Sequence, residues 1–325
     1  MTELTMVKSL NLALRQEMER DESVLLLGED VGEDGGIFRV SEGLHESFGK
    51  DRVIDTPLAE SAIVGAALGM ALGGLRPIAE LQFMGFSYFA FHQIESHVSR
   101  YRWRTQGGMS APMVIRMPYG AGVRALEHHS ESKEVYYTHT PGLKTVVPSG
   151  PRNARALLVS AIRDPDPVVF LEPKRSYRSF KEDVPDEEET LPIGVAELVR
   201  EGDDITFVTF GAMLRPVLDV AEAMAEEGIS SDVIDLRTLA PLDDEAIIES
   251  VAKTGRAVVV TEAHRSFGSA SEIVARIVDG AFFYLEAPVE RVTGYDVPVP
   301  YFAREHEYLP GSDRIRSAAR RVLEV

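Results

Sequence analysis

Apolar residues in the first half of the chain form short runs separated by segments with a helical period. The runs barely alternate with polar residues, which is typical of parallel strands covered by helices on both faces. We therefore predict strands over Val24–Gly28, Val53–Asp55, Pro77–Phe83, Met113–Met117, Lys144–Val147 and Val168–Leu171. Helices are predicted between them, over Met6–Arg20, Leu58–Gly73, Tyr88–Arg104 and Arg152–Arg163.

The composition changes at residues 181–190, which read K-E-D-V-P-D-E-E-E-T and indicate a solvated linker. The same alternation then restarts, with strands predicted over Ile205–Phe210, Asp232–Asp235, Ala257–Thr261 and Glu290–Thr293 and helices over Met213–Glu227, Asp243–Lys253, Ser271–Phe283 and Asp313–Leu323. We expect an α/β protein with two open, mostly parallel sheets and helices on both faces. Its parts are a domain over residues 1–180, an acidic linker over 181–200 and a smaller domain over 201–325. In the second sheet, residues 211–213 and 262–267 follow strands and are candidate ligand contacts.

The 325-residue chain has a net charge of −18 and no cysteine, which excludes disulfides, thiolate metal sites and a catalytic thiol. The negative charge repels nucleic acid, and the one local basic cluster, Arg100, Arg102 and Arg104, reads better as a solvated helix end. The longest apolar stretch, residues 61–75, is too short for a membrane span and the N-terminus shows no secretory signal. We expect a cytoplasmic protein that binds neither nucleic acid nor membrane.

Several common catalytic motifs are absent. The chain contains no G-x-G-x-x-G, no G-x-x-x-x-G-K-[ST], no H-E-x-x-H and no G-x-S-x-G. His92 and His97 are five residues apart and do not share the helix face that a metal site needs. Phosphate-loop, zinc-protease and serine-hydrolase chemistry are therefore disfavoured.

The most informative segment is D-T-P-L-A-E at residues 55–60, followed by a helix without polar residues from Ala62 to Leu72. Pro57 marks the helix start, and Glu60 is a carboxylate in its first turn. Such a residue can simply complement the helix dipole, so a structural and a functional role stay equally open on these facts. The apolar composition predicts a helix buried on all sides, and Gly65, Gly69 and Gly73 flatten one face for close helix pairing.

This segment resembles the pyrimidine-domain motif of thiamine diphosphate enzymes, and its D-T-P-L-A-E form is similar to the beta subunits of the decarboxylating component of 2-oxo acid dehydrogenase complexes. The resemblance runs from about residue 4 to the C-terminus. It includes L-G-E-D-V-G at residues 27–32, E-L-Q-F at 80–83, H-S-E-S at 129–132 and D-L-R-T-L at 235–239. It implies a pyrimidine-binding domain followed by a transketolase-type C-terminal domain.

The resemblance also assigns residues. It implies that Glu60 is the carboxyl beside the distal nitrogen of the aminopyrimidine ring, where it promotes the tautomer that activates the thiazolium carbon. It places Leu58, Gln82 and Phe86 against the pyrimidine. Phe86 could face the ring and Gln82 could hydrogen-bond its edge. Without the resemblance, Phe86 would read as an ordinary core residue.

The catalytic histidine of the family corresponds to His129, in the segment E-H-H-S-E at residues 127–131. As a general acid it would serve the reaction intermediate and the dithiolane sulfur of an incoming lipoyl group. His128 is the alternative, but adjacent side chains in a loop point differently, and we prefer His129. Glu131 stands where many relatives carry Gln.

The motif for the diphosphate and its metal, Gly-Asp-Gly followed by Asn, is missing, and the chain has only two Asn residues, Asn11 and Asn153. The resemblance implies that an alpha subunit supplies this site and its Mg²⁺ at the interface of an α2β2 heterotetramer. It also implies a structural K⁺ ion held by backbone carbonyls of Ala161, Asp164 and Asp166.

The sequence therefore predicts the beta subunit of a 2-oxo acid dehydrogenase component that oxidatively decarboxylates its substrate and transfers the acyl group to lipoyl-lysine of an acyltransferase core. Pyruvate is the preferred substrate and a branched-chain 2-oxo acid the second choice. The beta subunit of acetoin dehydrogenase or another transketolase-like half-enzyme stays open. A flavodoxin-like scaffold, in which Glu60 only serves the helix dipole, is the alternative outside enzymes.

Overall fold

In a computed structural model that describes residues 1–325, the chain folds into two compact units. The first unit contains residues 1–119 and 136–193, and the second contains residues 120–135 and 194–325. The short segment 120–135, which carries the candidate histidine, therefore folds with the C-terminal part of the chain.

The first unit is an α/β layer structure with these elements: β1 (Thr2–Leu4), α1 (Met6–Arg20), β2 (Val24–Gly28), α2 (Leu44–Phe48), β3 (Val53–Asp55), α3 (Glu60–Leu72), β4 (Arg76–Glu80), α4 (Phe91–Ser96), α5 (Tyr101–Arg104), β5 (Val114–Tyr119), α6 (Val135–Thr138), β6 (Lys144–Val146), α7 (Pro151–Arg163), β7 (Val168–Pro173) and β8 (Glu182–Val184). Six strands pair in parallel in the order β6-β7-β5-β4-β2-β3. Helices α1 and α7 bury their apolar faces in one hydrophobic core with β2, β5 and β7. β1 and β8 form a separate antiparallel pair.

The second unit repeats the architecture with a smaller sheet. Its elements are β9 (Glu197–Arg200), β10 (Ile205–Thr209), α8 (Leu214–Ala225), β11 (Ser231–Asp235), β12 (Thr238–Ala240), α9 (Asp244–Thr254), β13 (Ala257–His264), α10 (Ser269–Ala281), β14 (Glu290–Gly294), α11 (Glu305–Tyr308) and α12 (Ser312–Leu323). Five strands pair in the order β14-β13-β10-β11-β9, and only β9 runs antiparallel to its neighbour. The predicted fold class, with two open and mostly parallel sheets, is confirmed. None of the helices has the length and apolarity needed to cross a membrane.

Two expectations about the helices of the first unit were wrong. The single helix predicted over Tyr88–Arg104 is a series of short pieces, with 3₁₀ turns at Met84–Phe89 and Val98–Arg100 around α4 and α5. The apolar pattern there reflects several turns packing in different directions, not one helix face. Helix α3 is also not buried on all sides, because Ala62, Ala66 and Gly69 form an exposed stripe. Within this chain, the exposed stripe of α3 consists of small residues, whereas Ile63, Val64 and Leu68 are buried.

The segment 181–200, predicted as a solvated linker, contains regular structure. Strand β8 pairs with β1, and Val184 is buried. The guanidinium of Arg155 donates hydrogen bonds to the carbonyls of Pro185 and Glu187. The backbone of this segment is held by these hydrogen bonds although its side chains are acidic. Composition alone does not distinguish such a segment from a solvated linker.

A buried charge network ties three neighbouring strands of the first sheet together. Arg116 on β5 donates to Glu80 on β4 at 2.6 Å and to Glu172 on β7 at 2.7 and 3.0 Å, and Tyr177 donates to Glu172 at 2.6 Å. Arg116 is 1% exposed, so its charge is compensated entirely within the protein. Burial raises the pKa of Glu80, although Arg116 opposes that shift.

We expect Arg116→Met to lower the free energy of unfolding by about 3–5 kcal/mol, because it leaves two buried carboxylates without their cation. The matched control is Arg102→Met, which removes a half-exposed arginine paired with Asp166 at 2.5 Å and should cost about 1 kcal/mol or less. Urea unfolding followed by circular dichroism measures both. If both variants lowered the free energy of unfolding equally, the conclusion that Arg116 stabilises the first unit through its buried ion pairs would be wrong.

Candidate functional site

The carboxyl ends of three adjacent strands meet at one edge of the first sheet. In register, Gly28 at the end of β2 lies opposite Asp55 of β3 and Glu80 of β4. The residues that follow these strands therefore lie side by side at the edge where open α/β sheets bind ligands. Asp55 holds the loop after β2 in place, because its carboxylate accepts hydrogen bonds from the backbone N–H of Gly32 at 2.6 Å and of Glu33 at 3.1 Å.

Glu60 is the first residue of α3 and lies at this edge, five residues after β3. It is 8% exposed, and its carboxylate forms neither a hydrogen bond nor an ion pair within the chain, while its oxygens are not among the fully enclosed unpartnered atoms. A buried carboxylate normally has such a partner. This one is suited to a ligand that brings its own hydrogen-bonding atom, as the distal nitrogen of an aminopyrimidine ring would.

The other predicted pyrimidine contacts lie nearby in the fold but differ in exposure. Gln82 follows β4 and donates from Nε2 to Asp30 at 3.2 Å, so its amide is already oriented at the sheet edge. Phe86 is half-buried and packs edge-on against Phe83, with ring centroids 5.4 Å apart. Leu58 is 68% exposed, so within this chain its side chain has little packing that fixes it.

Glu29 is a charged group at this edge that the sequence analysis did not single out. Burial raises its pKa, and the negative charges of Asp30 and Glu60 add to the shift. Glu29 and Glu60 are thus electrostatically coupled. Glu29 could have been identified from the sequence, because it directly follows strand β2 and lies within the L-G-E-D-V-G motif at residues 27–32.

The candidate histidine belongs to the second unit and is described there by itself. His129 ends a single 3₁₀ turn, Glu127–His129, and is half-buried, whereas His128 is exposed. The turn is braced from inside, since Ser130 Oγ donates to the carbonyl of Leu126 at 3.0 Å. Glu131 lies 3.7 Å from the ammonium of Lys133.

Residues just after His129 contact the carboxyl edge of the second sheet. Ser132 Oγ donates to Glu262 of β13 at 2.9 Å, and Ser269 Oγ donates to Glu134 at 2.6 Å. Both glutamates are buried, and burial raises the pKa of Glu134. The segment 262–267, predicted to contact ligands, thus includes a residue that anchors the histidine segment.

The backbone segment predicted to hold K⁺ follows α7. The Ala161 carbonyl accepts from the N–H of Asp164 at 3.3 Å, and the Asp164 carbonyl accepts from Arg76 at 3.2 Å. The Asp164 carboxylate is paired with Lys144 at 2.7 Å. Each carbonyl keeps a second lone pair, so potassium at this place stays a prediction. No three histidine, aspartate or glutamate side chains form a metal-binding cluster.

A large cavity of the first unit lies away from Glu60. It has a volume of about 1350 Å³ and is lined by residues of α4, α5 and the loop before β6, among them Trp103 and Asp166. Two of the three arginines of the basic cluster lie here in ion pairs, Arg100 with Glu95 and Arg102 with Asp166. None of the residues proposed to contact the pyrimidine lines this cavity.

Comparison with known families divides the chain into two matches. The model described as "Transketolase, pyrimidine binding domain" matches residues 2–179, and the one described as "Transketolase, C-terminal domain" matches residues 194–315. Both matches follow the chain order implied by the sequence.

Curated relatives align along the whole chain. The pyruvate dehydrogenase E1 component subunit beta of Acholeplasma laidlawii is 49% identical over 321 residues, which cover 99% of this chain and 98% of that protein. The protein of the same name from Bacillus subtilis (strain 168) is 48% identical over 324 residues, and that of Staphylococcus aureus (strain N315) is 47% identical, each covering 100% of both chains. A solved structure described as "Split gene transketolase, inactive beta4 tetramer" matches with a TM-score of 0.79 and 21% identity over 99% of both chains, which supports the fold alone.

We expect Gly120→Ala to loosen the segment that carries His129. Gly120 has φ +86°, and a Cβ atom there would collide with the Glu262 carboxylate that binds Ser132. Gly228→Ala is the matched control in the same unit, since Gly228 has φ +84° but open space around it. The control should cost about 1–2 kcal/mol from backbone strain alone. Gly120→Ala should cost more, and amide hydrogen exchange should rise within residues 120–135 for this variant only.

Proposed function

This chain belongs to the family of E1 component beta subunits of 2-oxo acid dehydrogenases, and from that premise we propose how its residues serve the reaction. The chain is the beta subunit of a component that decarboxylates pyruvate. Its partner in that component is an alpha subunit, in an α2β2 heterotetramer. The acceptor of the acetyl group is lipoyl-lysine on an acyltransferase core.

The overall step balances without a further reactant. One pyruvate, one lipoyl disulfide and one proton give carbon dioxide and S-acetyldihydrolipoyl. The bond between the carboxylate and keto carbons breaks, the keto carbon is oxidised to a thioester, and the disulfide takes up two electrons. The sulfur that is not acylated takes the proton. The chain has no cysteine, so it contributes no thiol of its own to this step.

The observation that carries the proposal is the buried Glu60 carboxylate without an internal partner. Thiamine diphosphate, when bound, supplies an acidic thiazolium carbon whose conjugate base adds to the keto group of the substrate. Glu60 would hold a proton at the distal nitrogen of the aminopyrimidine ring. Glu60 lies at the start of α3, on an edge formed by three strand ends. This position keeps its carboxylate in a fixed place.

Three further side chains would hold the pyrimidine. Phe86, braced by Phe83, would lie against the ring, and Gln82, oriented by Asp30, would bind its polar edge. Leu58 would complete the apolar contact. Because Leu58 is exposed in the single chain, we propose that it becomes covered when the alpha subunit binds.

His129 would act on the lipoyl side of the reaction. At near-neutral pH, the ring N–H of a histidine can donate a proton to the lipoyl sulfur that is not acylated. Mg²⁺ and the diphosphate belong to the alpha subunit in this proposal, since this chain lacks Gly-Asp-Gly. Potassium at the carbonyls of Ala161, Asp164 and Asp166 and a cytoplasmic location remain predictions.

We expect the isolated chain to show no turnover, and the chain mixed with its alpha subunit, thiamine diphosphate and Mg²⁺ to decarboxylate 2-oxo acids. The rate of acyl transfer to a lipoyl domain then gives kcat/KM for pyruvate, for 3-methyl-2-oxobutanoate and for acetoin, which is cleaved without release of carbon dioxide. Pyruvate should exceed the branched-chain acid by about tenfold or more, the discrimination that a few methyl groups provide in a fitted pocket. Robust activity of the chain alone would contradict the shared site, and preference for acetoin would move the chain to the alternative enzyme.

We expect Glu60→Gln in the assembled heterotetramer to slow exchange of the thiazolium C2 proton for deuterium by at least about 100-fold, because the variant cannot hold the proton at the pyrimidine nitrogen. Exchange is measured by rapid acid quench and proton NMR, which does not depend on turnover. Glu245→Gln is the control, since Glu245 is an exposed carboxylate in the first turn of α9. If both variants keep the original exchange rate, Glu60 serves only the helix dipole.

A further inference from the structure

The segment 120–135 is a closed loop built onto the second unit. The backbone N–H of Gly120 donates to the carbonyl of Glu131 at 2.8 Å, which brings the two ends of the loop together. The loop contains the turn Glu127–His129 near its middle. The position of this turn is therefore set by the contacts that hold the loop on its N-terminal and C-terminal sides.

On the N-terminal side, one carboxylate does this. Glu305 at the start of α11 is 0% exposed, and its two oxygens accept hydrogen bonds from the backbone N–H of Gly122 at 2.8 Å and of Arg124 at 2.9 Å. Gly122 and Arg124 both have positive φ, of +96° and +58°. An arginine rarely adopts this conformation, and the paired charge-assisted bonds hold it there.

On the C-terminal side, side chains from β13 and α10 fix the loop. Ser132 binds Glu262, and Glu134 binds Ser269, as described above. Lys133 lies between them with Nζ 3.3 Å from Nδ1 of His264. His264 donates from Nε2 to the carbonyl of Val297 at 2.9 Å, so its Nδ1 accepts from Lys133.

The turn is also influenced by Tyr301, four residues before Glu305. The Glu127 carboxylate raises the pKa of the Tyr301 hydroxyl, and Tyr301 adds to the backbone hydrogen bonding that lowers the pKa of Glu127. The anchors of the loop on this side are therefore the two bonds from Gly122 and Arg124 to Glu305.

We propose that Glu305 is a positioning residue for His129. His129 is five residues beyond Arg124, and Glu305 holds Gly122 and Arg124 in their positive-φ conformations. Without these two bonds the backbone before the turn can adopt other conformations, and the turn that carries the imidazole shifts with it. Glu305 touches no reacting atom in this account. The inference rests on the proposed role of His129 in acyl transfer, and it adds that the C-terminal unit orients this histidine through one buried carboxylate.

The test uses the assembled heterotetramer and two partial reactions. Decarboxylation is assayed with an artificial electron-accepting dye, and acyl transfer is assayed with a lipoyl domain. Glu305→Ala should lower kcat for acyl transfer at least tenfold and change dye-coupled decarboxylation less than threefold. Glu305→Gln should fall between, because its amide can accept one of the two N–H groups but not both. Glu307→Ala, an exposed glutamate of the same helix, should match the original protein.

A double variant separates positioning from general damage. If Glu305 acts through His129, Glu305→Ala combined with His129→Asn should be within twofold of His129→Asn alone in acyl transfer. If the fold-decreases of the two single variants multiplied in the double variant, the inference would be overturned. Unchanged acyl transfer in Glu305→Ala would also overturn it.

Hydrogen exchange of residues 120–131 supplies a readout without catalysis. Glu305→Ala should raise exchange in this segment at least tenfold, and Glu307→Ala should not. If the original heterotetramer turns over no 2-oxo acid but the exchange result holds, the proposed function fails and the positioning of the loop stands. If the enzyme is active and exchange does not change, the positioning role fails and the function stands.

Discussion

The first unit is built around one guanidinium that lies between carboxylates on two neighbouring strands. Arg116 and Glu80 face each other in register on β5 and β4, and Glu172 on β7 closes the set. Two buried acids surround this one base, and burial raises the pKa of Glu80. Such a network adds little net stability compared with an apolar core, but it fixes which strands are neighbours and how they are aligned. The candidate site depends on that alignment, since Glu80 is the last residue of β4 and Gln82 lies two residues beyond it.

The residues proposed to act in the reaction are divided between the two units of the chain. Glu60, Gln82 and Phe86 lie at the edge of the first sheet, and His129 lies on a loop that belongs to the second unit. In the proposed function, the first group would serve the cofactor and His129 would serve the acyl acceptor. The chain has two hydrophobic cores but no Gly-Asp-Gly motif, which fits the proposal that an alpha subunit supplies the diphosphate site.

Much of the fold could be predicted, because its strands are continuous apolar runs and most of its longer helices bury one apolar face with a helical period. β2, β3 and α1 have the predicted bounds. The series of short turns over 84–104 could not be predicted, since aromatic residues at helical spacing there pack in different directions. Glu60 was identifiable from its local motif, and Glu29 could have been found from its position after a strand. Glu305 could not, because its partners are 181 and 183 residues away and its own neighbourhood carries no motif.

Residues 120–135 belong to the second unit although they precede the last third of the first unit in the chain. During synthesis the loop leaves the ribosome early, but Glu305 is added 181 residues after Arg124. At the usual elongation rate, this interval is about 10 to 35 s. During that time the first sheet can form while the histidine loop still lacks its anchors. In a nascent or C-terminally truncated chain, the loop that carries His129 therefore lacks its bonds to Glu305 even where the first sheet has formed.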